Sequence, residues 1–92
     1  MSDRYYNRKK YFQEQSYTTG KYVIPFLNEV ILISSDLSVA EIGCGEGGNL
    51  KPFLEIGCTA VGIDLAENKI SNAENFFSNC PYNKNLTLIA DD

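Results

Sequence analysis

Leu37-Ser38-Val39-Ala40-Glu41-Ile42-Gly43-Cys44-Gly45-Glu46-Gly47-Gly48 is the stretch from which the rest of the chain is read. Its first six residues are short, largely apolar and partly β-branched, the pattern of a strand over 37–42. They run directly into a cluster of glycines. Beyond it, Leu50, Phe53 and Leu54 fall at i, i+3 and i+4, the spacing of one helix face. Pro52 is early enough for a first helical turn, and Gly57 fits the glycine that ends a helix. A strand, a bend and a helix therefore follow one another without a linker. Gly43 permits a sharp turn there, while Gly45 and Gly47 would let backbone amides approach a ligand that a Cβ would hold away. The helix start beyond the bend offers N–H groups with no partner in the helix itself.

Downstream the same alternation repeats. Residues 59–63 read as a second buried strand closed by Asp64, and 67–79 as a helix with Ile70, Ala73 and Phe77 turned inward. Pro81 and its polar neighbours turn the chain into a third strand at 86–90, which ends in Asp91-Asp92. Upstream, residues 2–15 read as a helix in which Tyr5, Tyr6, Tyr11 and Phe12 are mixed among charges. Turn-forming residues at 16–20 mark a break. A second helix over 21–33 carries a stripe of Tyr22, Val23, Phe26, Leu27, Val30 and Ile31, with Pro25 either kinking it or marking its true first turn. Ser34, Ser35 and Asp36 close it. The expected organisation is two N-terminal helices within 1–36, a cap or lid region, followed by a β-α-β-α-β unit over 37–92. The fold class is α/β, a partial Rossmann-like parallel sheet of three strands. Strands joined by crossover helices are parallel and lie side by side. In a complete doubly wound sheet the first strand would be innermost, so its other edge is expected to be open here.

Bulk properties narrow the partners. With 92 residues, 43% of them hydrophobic, the chain is one small folding unit and too apolar for disorder. Acidic residues outnumber basic ones 12 to 8, and the only basic run, Arg8-Lys9-Lys10, reads as a solvated helix face, so a nucleic acid partner is not expected. There is no histidine, and Cys44, Cys58 and Cys80 lack metal-ligand or disulfide spacing. Three free thiols suit a reducing compartment, and no apolar stretch reaches membrane-spanning length. A cytoplasmic protein with no bound metal and no membrane contact is expected.

The chemistry concentrates at the strand tips. Asp64 ends the second strand, 19 residues after Gly45, where an acid can accept both hydroxyls of an adenosine ribose; it can also serve as a helix cap. Gly43, Gly45 and Gly48 fit the dinucleotide pattern G-x-G-x-x-G, so an NAD-binding oxidoreductase shares this geometry. Glu41 argues against it. A carboxylate two residues before the bend is badly placed beside a pyrophosphate and well placed beside a cation. Helices on both faces of a parallel strand leave little room for a charge without a use. A non-catalytic nucleoside-binding module is a third reading.

Glu41-Ile42-Gly43-Cys44-Gly45-Glu46-Gly47 resembles the first signature motif of the class I S-adenosylmethionine-dependent methyltransferases, an acid followed by x-G-x-G-x-G. Val61-Gly62-Ile63-Asp64 resembles the second, and residues 86–92 resemble the third. The resemblance is good over 39–92 and loose before that. It implies S-adenosyl-L-methionine as cofactor, held by Glu41, Gly43, Cys44, Gly45, Gly47, Asp64, Leu65, Asp91 and Asp92. Within that set Glu41 would face the ammonium and Asp64 the ribose, while Asp92, with Asp91 in reserve, would meet the adenine. It also makes Tyr11, Phe12 and Tyr22 candidates for a lid, where their plain reading is packing surface. Ala66 stands where relatives often carry a capping side chain, so the second crossover helix is expected to lean on Asp64 or Glu67. The strands and loops that shape an acceptor pocket in the family are not among these residues. The chain alone is therefore expected to transfer no methyl group, and its open sheet edge to favour self-association. The acceptor is not implied.

Overall fold

The N-terminal segment forms a single helical run. In the computed structural model, which describes residues 3–91, α1 spans Asp3–Thr18, passes into a π-helical turn at Thr19–Val23 and continues as α2, Ile24–Leu27. The break expected at 16–20 is therefore a change of helical pitch, not an interruption. The second helix ends near its middle instead of at residue 33. In the π turn the N–H of Ile24 reaches back five residues to the carbonyl of Thr19. That spacing rotates everything after it relative to α-helical phase. As a result Ile24 and Leu27 pack inward, whereas Tyr22, Val23, Phe26, Val30 and Ile31 are exposed. Pro25 sits in the first turn of α2, directly after the π turn. Asn28 then ends the helix, its side-chain oxygen accepting the N–H of Ile33 at 2.8 Å.

The β-α-β-α-β order is as read from the sequence. β1 (Ser38–Ile42) leads through the glycine bend and a 3-10 turn at Gly48–Leu50 into α3 (Lys51–Ile56). β2 (Thr59–Asp64), α4 (Glu67–Phe77) and β3 (Leu86–Ala90) follow. Gly57 closes α3 in the left-handed region, φ 110°, and its N–H returns to the carbonyl of Leu54. The three strands are parallel in the order β1-β2-β3, with Ser38 opposite Thr59 and Ala60 opposite Leu86. Among the described residues β1 pairs on one side only, so its outer edge is open.

That register sorts the strand side chains into rows. Val39, Ala60 and Leu86 form one row, and Glu41, Gly62 and Leu88 the next on the same face. Both rows meet the helices: Phe12, Leu50, Leu54, Ala60, Ile70 and Phe77 form the main core, with Val39, Leu86 and Leu88 packed against it. Phe12 anchors α1 there, its ring 4.9 Å from that of Phe76 and 5.3 Å from that of Phe77. Ile24, Phe53 and Cys58 make a smaller cluster that also touches Val39. The opposite row, Ile42, Ile63 and Ile89, is not covered, and Ile42 is 77% exposed. Helices lie on one face of this sheet among the described residues, not on both, because α1, α3 and α4 all join the core on the Val39 side. Glu41 belongs to the covered face.

Candidate cofactor site

The glycine bend takes its shape from left-handed backbone angles that favour glycine. Gly43 and Gly45 have φ of 72° and 59°, and a Cβ on either would meet no atom within 4 Å. Both line a cleft of about 850 Å³, together with Glu41, Cys44, Asp64 and, from the helical arm, Arg8. The two strand tips thus bring Glu41 and Asp64 to one opening. Asp64 ties the site together from below: its Oδ2 accepts the N–H of Gly45 at 2.8 Å and its Oδ1 the N–H of Ala66 at 2.9 Å. The start of α4 leans on Asp64 accordingly. Those amide bonds, Ala66 first and then Gly45, hold the Asp64 carboxyl below its ordinary pKa. A carboxylate has about four acceptor positions, so two remain for a diol.

Glu41 is the unusual member. Its Oε2 accepts the side-chain amide of Asn49 at 3.2 Å, while its Oε1 is buried and has no hydrogen-bond partner. Burial pushes its pKa up, and the Asn49 bond only partly offsets this. An ionised oxygen withdrawn from water without a donor is costly, and a cation or a donor entering the cleft would relieve it. Cys44, in contrast, is buried with its thiol pushed up to about 11, by burial first and then by the Glu41 and Asp64 carboxylates. At neutral pH it is a packing group, not a nucleophile.

Other residues of the sequence-derived set stand elsewhere. Gly47, φ 85°, faces the core, where a Cβ would come within 3.1 Å of the Phe77 ring. Leu65 is 71% exposed and does not line the cleft. Asp91 donates its backbone N–H to the carbonyl of Asp64 at 3.0 Å, which places it beside the β2 tip but outside the cleft wall. Asp92 lies outside the described residues. Of the aromatic lid candidates, Tyr11 lines the cleft while 59% exposed, Phe12 is core, and Tyr22 points to solvent beside Lys21.

Three sets of contacts were not legible in the sequence. Arg8 is not part of a solvated basic face: its Nε lies 3.5 Å from Oε2 of the buried Glu46, which also accepts the Asn72 amide at 2.7 Å. This joins α1, the bend and α4. Gly48 lets the arm settle on the bend, since a Cβ there would lie 2.7 Å from the Phe12 carbonyl oxygen. The hydroxyl of Ser16 donates to the Gly48 carbonyl at 2.7 Å. Asn49 and Thr19 are bonded to each other at 2.7 Å. All are contacts across 26 or more residues, beyond any local period.

No family model matches the chain, and no curated protein matches it. Solved structures do. MccD protein superimposes with a TM-score of 0.68 at 20% identity, over 78% of this chain and 32% of its own. The glycopeptide N-methyltransferase MtfA in complex with sinefungin gives 0.66 at 20% identity, over 79% and 30%. A Galdieria sulphuraria protein assigned as a sarcosine dimethylglycine methyltransferase gives 0.70 at 15% identity, over 79% and 28%. MtfA has also been solved with S-adenosyl-L-methionine. The chain spans about a third or less of the length of these proteins. At such identities the likeness shows a shared fold, an α/β unit with a parallel three-stranded sheet.

Proposed function

We propose that this chain is the cofactor-holding portion of a methyltransferase that uses S-adenosyl-L-methionine. The observation that carries the reading is the Oε1 of Glu41, buried and without a donor at the tip of β1, beside two glycines whose missing side chains leave the cleft clear. A ligand ending in an ammonium group satisfies that oxygen. A dinucleotide pyrophosphate brings a second negative charge to it. The fold shared with MtfA, which is known with this cofactor bound, supports the same choice.

The donor set fits such a ligand. In this reading Glu41 receives the ammonium and Gly43, Cys44 and Gly45 form the floor, while Asp64 accepts the ribose diol through its two remaining lone-pair positions. Asp91 or Asp92 meets the adenine amino group. Gly47 and Leu65 border the site, the first by shaping the bend from the core side. The cofactor, when bound, supplies an electrophilic methyl group on a sulfonium. These residues bind and orient it; no acid or base is required of them, because displacement at that methyl depends chiefly on alignment. The three free thiols support a cytoplasmic location. The open edge of β1 and the bare Ile42 row support self-association, which light scattering on the 92-residue chain tests.

Calorimetric titration decides the main point. S-adenosyl-L-methionine is expected to bind the chain and NAD is not. Binding of NAD in preference, or of neither, overturns the proposal. Methyl transfer by this chain alone to any acceptor would contradict the assignment of a purely cofactor-holding role.

A further inference from the structure

A directed chain of hydrogen bonds runs from the helical arm to the acid at the β1 tip. Thr19, only 4% exposed, opens the π turn, where its carbonyl accepts the N–H of Ile24. Its hydroxyl donates to Oδ1 of Asn49 at 2.7 Å, and Nδ2 of Asn49 donates to Oε2 of Glu41 at 3.2 Å. The order of donors matters. An amide can present either its oxygen or its nitrogen to a neighbour, and an oxygen turned toward Glu41 would be repelled. The Glu41 carboxylate can only accept, so it takes the nitrogen of Asn49. The Thr19 hydroxyl, able to donate or accept, donates to the amide oxygen and holds that end away from Glu41. With Oε2 held in this way, Oε1 is the oxygen left without a partner.

We infer that Thr19 and Asn49 are positioning residues, which fix the orientation of Glu41 so that one carboxylate oxygen is kept for a cationic ligand group. The inference rests on the proposed cofactor reading and adds to it a device located in the N-terminal arm. The π turn belongs to that device. It places a buried hydroxyl opposite Asn49, and wide turns of this kind tend to persist in helices where they place a group for use. The arm is thereby part of the site's selectivity for ligands that carry an amino group.

The test compares two neutral-sulfur ligands that share the adenosine and differ in the amino-acid end. S-adenosylhomocysteine carries the ammonium and 5′-methylthioadenosine does not. Each is titrated into the 92-residue chain and into Thr19→Val, Thr19→Ser and Asn49→Leu. Loss of one orienting hydrogen bond is expected to weaken S-adenosylhomocysteine about three- to tenfold in Thr19→Val and Asn49→Leu. Affinity for 5′-methylthioadenosine should stay within about twofold, since the changed bonds do not touch the nucleoside part. Thr19→Ser, which keeps the hydroxyl, should restore the wild-type preference. Equal losses for both ligands overturn the inference, because a merely structural role weakens both; so do unchanged affinities in every variant. Thermal melting identifies a variant that fails to fold, in which case the Thr19→Val and Thr19→Ser pair carries the comparison. Failure of the unmodified chain to bind either compound overturns the cofactor reading itself, a result separate from the other two.

Discussion

The glycine bend with its two strand tips and the helical arm over residues 3–27 were built by different rules. In the first region each feature has a local cause. A strand pattern ends at Ile42, glycines adopt left-handed angles at 43, 45 and 47, and Leu50, Phe53 and Leu54 recur at helical spacing. In the arm, local signals pointed to a break and a long second helix, and contacts overruled both. Phe12 is drawn into the core against Phe76 and Phe77, Ser16 and Thr19 bond to the bend, and the turn widens to suit them. The lesson is that a motif with backbone requirements can be read locally, whereas a segment whose task is to cover that motif takes its shape from it.

The largest test of this contrast is Phe77→Ala. Phe77 is 2% exposed and packs against Phe12 of the arm and beneath Gly47 of the bend. Its truncation should cost about 3–5 kcal/mol in denaturant unfolding and loosen both regions together. If only one region responds, they are not a single packed unit. Next is Gly48→Ala. The added Cβ would sit 2.7 Å from a backbone oxygen of Phe12, and the arm must shift, at a cost of about 1–3 kcal/mol. Faster amide hydrogen exchange in residues 12–19 than in β1 would show that the arm gives way first.

Glu41→Gln separates function from stability. Affinity for S-adenosyl-L-methionine should fall about 10- to 100-fold, the loss of a charge-assisted bond of about 1.5–3 kcal/mol. The melting temperature at neutral pH should rise. The folded-state pKa of Glu41 is raised above 4.5, so the protein binds its proton more readily when folded. The penalty for the buried charge is therefore absent below that pH and complete above the folded value. A neutral glutamine removes it. Asp64 gives the smallest effect, with the opposite sign. Its pKa is lowered from 3.8 when folded, so its stabilising contribution is present above that value and is lost as pH falls through the folded one. Asp64→Asn should flatten stability against pH in that acid range, as followed by circular dichroism.

Strand order, both crossover helices, the C-terminal glycine of α3 and the two acids at the strand tips were legible because each obeys a short-range rule. Those rules are side-chain alternation, helical spacing, or a backbone angle that favours glycine. Leu65 and Gly47 show where such reading stops. Both stand beside the motif in sequence, yet one points to solvent and the other to Phe77, since direction depends on what packs nearby. Arg8 read as solvated because nothing near it in sequence discloses Glu46, 38 residues away.

Sequence alone determined that a strand, a glycine bend and a helix would form, that strand and helix would alternate after them, and that Glu41 and Asp64 would stand near the ends of the first two strands. Only the tertiary structure decided which oxygen of Glu41 lacks a partner, which face of the sheet is bare, and that the arm holds Asn49 through a widened turn. Backbone preference acts over a few residues. Burial and hydrogen-bond partners are settled between segments that meet only when the chain has folded.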